Sequence, residues 1–277
     1  MSLKLMYITN QAEIAIIAQE CGVDRIFVDM EYIGKSDRQG GMDTVQSHHT
    51  IQDIRNVRKV LTTSKLLVRC NPIHEKSDLY PGSQQEIDDA IAAGADIIML
   101  PFFKTISEVE SFIKIVDGRV PVLLLVETPE AAEALDDILD VPGVDEVLIG
   151  LNDLSIGYRK KFMFQLLADG TVERLCEKCR SHGIPYGFGG IASMGRGILP
   201  SEYVIKEHYR LNSGCAILSR SFCDVRKMRD PEQIRSIFHN GVRAIRAYEE
   251  YCKETPHTYE SNRLEVIRRV DKIVEGI

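Results

Sequence analysis

The sequence lacks long hydrophobic runs, blocks of basic residues and a regular cysteine pattern. Apolar runs such as PVLLLV (121–126) are far shorter than the roughly 20 residues that a helix needs to cross a bilayer. The first residues, MSLKLMYITNQ, do not resemble a signal peptide, which would have a long apolar stretch before a small-residue cleavage site. These absences predict a soluble cytoplasmic protein that does not partner with a membrane.

The charge and the cysteines exclude further classes of protein. The chain has 34 basic and 41 acidic residues and a net charge of −7, and no basic block indicates binding to nucleic acid. Seven cysteines at irregular spacing are typical of reduced thiols. Cys176 and Cys179 form a CxxC inside a helical pattern with no second pair, so we interpret them as packing residues rather than zinc or redox ligands.

Short β-rich runs alternate with amphipathic segments along most of the chain. The first run is LKLMYIT (3–9) and the eighth is CAILSRSF (215–222), and a helical pattern follows each one. Eight such units in about 250 residues are typical of a (β/α)8 TIM barrel. We therefore predict an α/β fold with a catalytic barrel over residues 1–256. A doubly wound open sheet is the alternative, but no GxGxxG follows the first strand.

Two segments depart from this alternation. Residues 257–277 contain NRLEVIRRVDKIVEGI and predict an extra C-terminal helix, which could pack on a neighbouring subunit. Residues 33–49 (IGKSDRQGGMDTVQSHH) are polar, rich in glycine and longer than most strand-to-helix connections. On a barrel such a loop lies on the catalytic face, so we predict that it forms a lid.

Two acidic residues follow apolar strands near the middle of the chain. Glu127 ends PVLLLVE, and Asp153 follows the run EVLIGL. In a barrel the carboxyl ends of strands face the active site, and neighbouring strands lie about 4.8 Å apart. Two carboxylates there suit Mg²⁺ or Mn²⁺ with positions open for water and substrate. Each acid alone would be typical of a helix N-terminus, whereas the pair favours a metal site.

The stretch LLLVETPEAAEALDDILDVPGVDEVLIGLNDLS (123–155) resembles the central block of the HpcH/HpaI aldolase and citrate lyase family. The segments GVDRIFVDMEY, LLVRCN and AIAAGADIIMLP are similar to the second, third and fourth strands of that family. The resemblance implies a barrel of the phosphoenolpyruvate/pyruvate superfamily and a homo-oligomer. It also implies that Glu127 and Asp153 bind the divalent metal and that Arg69 binds and polarises the oxygens of a keto acid.

This resemblance implies a metal-dependent lyase of the class II aldolase type. The cation would chelate pyruvate and stabilise its enolate while a C–C bond to an aldehyde forms or breaks. We expect Mg²⁺, with Mn²⁺ or Co²⁺ as alternatives. Asp29 and Glu31 would organise metal-bound water or a proton relay. The backbone N–H groups at the end of the sixth strand would hold the substrate carboxylate, and they belong to Gly150, Leu151 and Asn152.

The sequence departs from the family pattern after the second strand. Family members carry DGEH there, whereas this chain reads DMEY, so Tyr32 replaces the histidine. A phenol with a pKa of about 10 is a poor base at pH 7. His48 and His49 are candidate substitutes, and the alternative interpretation is that both are exposed loop residues.

The seventh unit contains GFGGIASMGRG (187–197), in which glycines surround Arg196. Barrels often bind phosphate with the loops after strands seven and eight, so we predict an anion site there and an acceptor aldehyde with an anionic group. The alternative is a tight turn with a solvated arginine. Two other functions stay open, which are a CoA-ester lyase of the citrate lyase β-subunit type and a ligand-binding barrel without catalysis.

Overall fold

The computed structural model describes residues 2–34, 49–228 and 230–276, and its centre is a closed barrel of eight parallel strands. Each strand pairs with the next along the chain, and β8 pairs with β1. This closure confirms the predicted (β/α)8 TIM barrel and excludes the open sheet. The strands are β1 Lys4–Ile8, β2 Arg25–Asp29, β3 Lys65–Arg69, β4 Ile97–Leu100, β5 Val122–Val126, β6 Glu146–Ile149, β7 Tyr186–Ile191 and β8 Cys215–Leu218.

The barrel strands are apolar because both of their faces are covered. One set of side chains fills the inside of the barrel, and a larger set packs between the sheet and the surrounding helices. The inner set therefore plugs the barrel, and the carboxyl ends of the strands remain for a site. The inner set consists of Met6, Phe27, Leu67, Ile97, Met99, Leu123, Leu125, Leu148 and Cys215.

Helices surround the barrel, and most of them return the chain from one strand to the next. A 3₁₀ turn, Pro256–Thr258, separates the last two helices. The α-helices in the described part of the chain are α1 Ala12–Glu20, α2 Ile51–Arg58, α3 Ser83–Ala92, α4 Ile106–Val116, α5 Pro129–Glu133, α6 Leu135–Leu139, α7 Leu151–Gly157, α8 Gln165–Ala168, α9 Thr171–Ser181, α10 Ser201–Arg210, α11 Pro231–Glu254 and α12 Tyr259–Glu275. Over the described residues, none of these helices is long and apolar enough to cross a membrane.

The C-terminal helix α12 packs on its own barrel, against α8 and α10. Val266 and Val270 are buried in this contact, and Asn262 Nδ2 donates a hydrogen bond of 2.9 Å to Glu207 Oε1 on α10. The inner face of the helix is therefore occupied within the subunit. Contact of its outer face with a neighbouring subunit stays a prediction, as does the division of the chain at residue 256.

Two local expectations have different outcomes. The pattern EAAEALDDIL (130–139) suggests one helix, whereas the structure has two short helices, α5 and α6, that meet at Ala134. The predicted lid over residues 33–49 lies outside the described residues except for Ile33, Gly34 and His49.

Candidate active site

The register of β2 and β3 places a carboxylate beside a guanidinium at the carboxyl end of the barrel. Asp29 and Arg69 are partners across the two strands. The guanidinium donates two hydrogen bonds of 2.8 Å to the Asp29 carboxylate, from Nε to Oδ1 and from Nη2 to Oδ2. Nη1 lies 3.3 Å from Glu31 Oε2. This bidentate arrangement fixes the plane of the guanidinium, as arginine allows and lysine does not.

The Arg69 side chain stays charged despite its burial. Burial alone would lower its pKa, but the negative charges of Asp29 and Glu31 outweigh that effect and raise the pKa well above the ordinary value. Glu127 contributes in the same direction, so its carboxylate lies within electrostatic range of the guanidinium. The structure therefore brings the β2, β3 and β5 residues predicted from sequence into one charged cluster.

Glu127 and Asp153 line the same cavity. Glu127 directly follows β5, and Asp153 lies in the first turn of α7, which begins two residues after the end of β6. Only 3% of Glu127 and 8% of Asp153 is exposed, so both carboxylates are withdrawn from bulk water. The cavity has a volume of about 260 Å³. Its other lining residues are Phe102, Lys104, Thr128, Pro129, Glu130, Ile156 and Gly157.

Two hydrogen bonds attach the loop after β4 to the end of β5. The backbone N–H of Phe102 donates to Glu127 Oε1 at 3.0 Å, and the Thr128 hydroxyl donates to the carbonyl of Phe103 at 2.7 Å. Phe102 has a φ of +47°, a left-handed conformation that is uncommon for a bulky residue. Thr128 also caps α5, since its Oγ1 accepts from Ala131 N. The strained turn and the threonine together orient the Glu127 carboxylate.

Two glycines allow the loops after β5 and β6 to meet. A Cβ at Gly150 would lie 2.8 Å from the Cβ of Glu127 and 3.0 Å from its Oε2. A Cβ at Gly157 would lie 2.6 Å from Cδ of Pro129. A side chain at either position would push on the segment that carries Glu127. The two glycines therefore permit the close approach that places both carboxylates on one cavity.

His49 and Tyr32 have different surroundings beside Asp29. His49 is buried, and its Nδ1 accepts a hydrogen bond of 2.9 Å from the Asp29 backbone N–H. In the neutral ring the proton therefore resides on Nε2. His49 is thus not the exposed loop residue of the alternative interpretation, and His48 lies outside the described residues. Burial and the neighbouring acids Asp29, Asp53 and Glu86 raise the pKa of Tyr32 to about 12, which makes it a poorer base than an ordinary tyrosine.

The backbone amides predicted to hold the substrate carboxylate are in two situations. The Gly150 N–H donates to the carbonyl of Val126 at 2.9 Å as part of the barrel, so this amide is already used. Leu151 and Asn152 are the first two residues of α7, whose early amides have no partner within the helix. Leu151 itself is buried against β7, since a Cβ at Gly189 would lie 2.7 Å from Leu151 Cδ1.

The glycines of residues 187–197 have packing and turn roles in the structure. A Cβ at Gly187 would lie 2.2 Å from the carbonyl oxygen of Cys215, which explains the glycine at that position. Gly195 and Gly197 have positive φ and form a turn, within which the Gly195 N–H donates to Glu202 Oε1 at 2.6 Å. The Arg196 side chain is exposed, and it does not line the cavity of Glu127 and Asp153. Anion binding at this turn stays a prediction.

The donor chemistry of the cavity fits a hard divalent cation. Two buried carboxylates on one cavity repel each other, which a bound cation relieves, and Mg²⁺ commonly uses one or two protein carboxylates while water and substrate fill the other positions. Within the described ranges, no three His, Cys, Asp or Glu residues gather as a closed metal site. Cys176 and Cys179 are buried on α9, and burial raises the pKa of both thiols, so they fit a packing role.

A closed (β/α)8 barrel with carboxylates at the ends of β5 and β6 is the architecture of a barrel enzyme with its site at the carboxyl face. The family model of HpcH/HpaI aldolase/citrate lyase matches residues 4–188, and the chain belongs to this family. The membership supports a carbon–carbon lyase that acts on small molecules. The family is generally dependent on a divalent metal. No curated protein sequence matches the chain.

Solved structures show the same fold at low sequence identity. An HpcH/HpaI aldolase/citrate lyase family protein from Burkholderia cenocepacia J2315 is 14% identical, with a TM-score of 0.61 over 84% of this chain and 95% of that one. The HpcH/HpaI aldolase from Desulfitobacterium hafniense DCB-2 is 16% identical, with a TM-score of 0.59 over 88% and 93%. The citrate synthase SbnG is 16% identical, with a TM-score of 0.60 over 81% and 89%.

Proposed function

We propose that this protein is a divalent-metal-dependent lyase that makes or cleaves a C–C bond through the enolate of pyruvate, with an aldehyde as the second substrate. The observation that supports this most directly is the shared cavity of Glu127 and Asp153 at the carboxyl face of the barrel. Its neighbouring cluster of Arg69, Asp29 and Glu31 supplies a charged group for the keto acid. Together they match the requirements of enolate formation.

Glu127 and Asp153 are the residues that would hold the metal. When bound there, Mg²⁺ or a similar cation supplies Lewis acidity toward the oxygens of a keto acid. The protein's own contribution is orientation, because the Phe102 amide and the Thr128 hydroxyl fix the Glu127 segment before any ligand arrives. Preorganised ligands lose little entropy on binding, which favours affinity.

Arg69 is the residue that would stabilise negative charge on the substrate. Its high pKa keeps the guanidinium charged at every physiological pH. Its guanidinium is already held by two hydrogen bonds to Asp29, so it needs no reorganisation as charge develops on the substrate oxygen. A buried, oriented guanidinium of this kind is more effective than a solvated one because the local dielectric is low.

We assign to His49, rather than to Tyr32, the side chain that polarises the substrate. Its Nδ1 accepts from the Asp29 amide, so the neutral ring carries its proton on Nε2, which would donate a hydrogen bond to the enolate or aldehyde oxygen. The C3 proton would pass through water to the carboxylates of Asp29 and Glu31, which lie together because the Glu31 N–H donates to Asp29 Oδ1 at 3.2 Å and both acids contact Arg69. Tyr32 would stay protonated throughout and would not act as a base.

The size of the cavity favours a short substrate. Its volume of about 260 Å³ is below the range of roughly 300–1,000 Å³ that is typical of sites for drug-sized ligands. A three-carbon keto acid and a small aldehyde suit this space better than a coenzyme A ester. The size of the cavity therefore favours an aldolase over a CoA-ester lyase of the citrate lyase β-subunit type.

The first experiment is the exchange of pyruvate C3 protons for deuterium, followed by NMR in D₂O with Mg²⁺, Mn²⁺ or Co²⁺. The wild type is compared with Glu127→Ala and with Glu127→Gln, which keeps the size of the side chain and removes its charge. We expect metal-dependent exchange in the wild type and none in either variant. Metal-free protein treated with a chelator is the second control.

Each outcome has a definite meaning. Exchange that needs both the metal and the Glu127 carboxylate would support enolate chemistry at this site. Tight, metal-dependent binding of pyruvate or oxalate without exchange would indicate a barrel that binds ligands but has lost catalysis. Exchange that persists in Glu127→Gln would contradict the proposed metal site.

A further inference from the structure

A charge pair lies at the rim of the cavity and is not used by the proposed chemistry. Lys104 Nζ lies 3.1 Å from Glu130 Oε1, and both side chains line the same cavity as Glu127 and Asp153. About half of each side chain is exposed, 48% for Lys104 and 52% for Glu130. The pair therefore faces any molecule that extends from the carboxylates toward solvent.

The backbone of each partner is fixed by a helix cap. Lys104 precedes Thr105, the N-cap of α4, and the Glu108 carboxylate accepts hydrogen bonds from the backbone N–H groups of both Lys104 and Thr105. Glu130 lies in the first turn of α5, which Thr128 caps. A hydrogen bond from the Glu130 backbone, and after it one from Lys104, lowers the pKa of the Glu130 carboxyl. The caps therefore fix the backbone from which both side chains of the pair extend.

The lining of the cavity is apolar as well as charged. Phe102, Pro129 and Ile156 lie among its lining residues, and the ammonium of Lys104 is 5.8 Å from the centre of the Phe102 ring. A substrate whose keto acid or enolate lies at Glu127 shares this cavity with Lys104 and Glu130, so its solvent-facing end would meet the pair. The rim is therefore in the position to select the second substrate.

The charges of the described lining residues indicate whether that substrate is neutral or anionic. Glu127 and Asp153 are the proposed ligands of a divalent cation, so their two charges are balanced by it. The remaining charged groups in the described lining are Lys104 and Glu130, which balance each other. Over the described lining, no net positive charge is left for an anionic far end, and an anion would have to displace Glu130 from Lys104.

The class of second substrate for this cavity depends on the proposed function. We propose that Lys104 and Glu130 select a neutral, hydroxylated aldehyde as the second substrate. The pair places a donor and an acceptor side by side, so that a hydroxyl group accepts from the ammonium and donates to the carboxylate. An anionic aldehyde gains one contact and meets the repulsion of Glu130. The turn of residues 187–197 favours the opposite class, so the experiment separates the two interpretations.

The test measures kcat/KM for the addition of pyruvate to glyceraldehyde, butanal and succinic semialdehyde, in wild type, Glu130→Gln and Lys104→Gln. We expect the wild type to prefer glyceraldehyde to both others. Glu130→Gln should shift the preference toward succinic semialdehyde by about fivefold, the scale of one exposed ion pair. Lys104→Gln should shift it against succinic semialdehyde by about the same factor and remove the advantage of glyceraldehyde over butanal.

Asp136→Asn is the matched control, because it adds the same single positive charge as Glu130→Gln. Asp136 lies on α6, is paired with Lys178 at 2.8 Å and does not line the cavity. It should leave all three preferences unchanged. A wild-type preference for succinic semialdehyde, or preferences that do not move in the two rim variants while pyruvate C3 exchange is intact, would overturn the inference. Absence of C3 exchange in the wild type would overturn the proposed function and the inference with it.

Discussion

The two ends of the barrel each bury an arginine against carboxylates, but with different charge balance. At the amino end, Arg25 Nη2 lies 2.7 Å from Glu146 Oε2, and Lys4 Nζ lies 4.0 Å from the other oxygen of Glu146. At the carboxyl end, Arg69 lies among acids from β2 and β5. Strand β2 contributes to both ends, with Arg25 at its start and Asp29 at its last residue.

The difference separates a balanced ion pair from a cluster with an excess of negative charge. At the amino end the charges near Glu146 are balanced by basic side chains of the same chain, so the pair closes that end of the barrel. At the carboxyl end the described residues bring three buried carboxylates, those of Asp29, Glu31 and Glu127, into range of the Arg69 guanidinium, and a fourth, Asp153, shares the cavity of Glu127. Buried acids in this proportion reduce stability, and proteins retain such clusters where function requires them.

The largest expected effect is at the amino end. Glu146→Gln leaves the Arg25 guanidinium buried without its counter-charge, and loss of one partner of a buried pair costs about 3–5 kcal/mol. We expect the free energy of unfolding, measured by urea titration, to fall by that amount. The double variant Arg25→Met/Glu146→Leu should recover most of it. The folded Glu146→Gln protein should exchange the C3 protons of pyruvate at near the wild-type rate. A loss of exchange would show that the amino end also affects the chemistry.

The next effect has the opposite sign for stability. Asp153→Asn removes one of the two carboxylates on the cavity, so the metal-free protein should be as stable as the wild type or more stable. Its affinity for Mn²⁺, measured by calorimetry, should fall by more than about 100-fold, beyond the effect typical of residues that only support a ligand. Destabilisation of the metal-free Asp153→Asn protein would mean that both ends of the barrel are structural.

Arg69→Lys sharpens the role of the guanidinium at the carboxyl end. Lysine keeps the charge but cannot reproduce the two parallel hydrogen bonds to Asp29. We expect the C3 exchange rate at saturating pyruvate to fall about 10- to 100-fold, since a misplaced donor stabilises the enolate less well. Affinity for Mn²⁺ should change little. A large loss of metal affinity instead would assign Arg69 to metal-site structure.

The fold and the main acids were accessible from sequence because both follow local rules. Alternation of apolar runs and helical patterns defines the barrel, and the position of Glu127 and Asp153 just after two such runs places them at the same face. The pairing of Asp29 with Arg69 was not visible, because it depends on the register between β2 and β3. In the sequence alone, Asp29 and Arg69 are each also typical of an ordinary charged surface residue.

Other parts of the site depend on conformations that no residue pattern encodes. Phe102 adopts a positive φ, a conformation in which glycine is the usual residue. Its hydrogen bond to Glu127 is donated by its backbone N–H. The burial of His49 could not be distinguished from exposure by its polar neighbours in the sequence. The glycines of 187–197 suggested an anion cradle, yet much of their role is close packing, which a sequence pattern cannot separate from binding.

Thr128 offers a smaller, specific test of how the Glu127 segment is held. Thr128→Val removes the bond to the Phe103 carbonyl and the cap of α5, whereas Thr128→Ser keeps both hydroxyl contacts. We expect Thr128→Val to lower the affinity for Mn²⁺ about tenfold, the low end of the effect of supporting residues. Thr128→Ser should restore affinity to within about twofold of wild type. Equal metal affinity in both variants would show that the threonine serves only the helix.

The smallest expected effect concerns Tyr32. Because its pKa is raised to about 12, its phenol stays protonated between about pH 6 and 9, and Tyr32→Phe should not change the pH–rate profile of C3 exchange. His49→Gln, in contrast, removes the imidazole that we assign as the hydrogen-bond donor to the enolate oxygen and should lower the rate about 100-fold. Loss of a limb of the profile in Tyr32→Phe with little effect of His49→Gln would reverse the assignment. The role assigned to His49 would then belong to Tyr32, the residue that stands where the family pattern has its histidine.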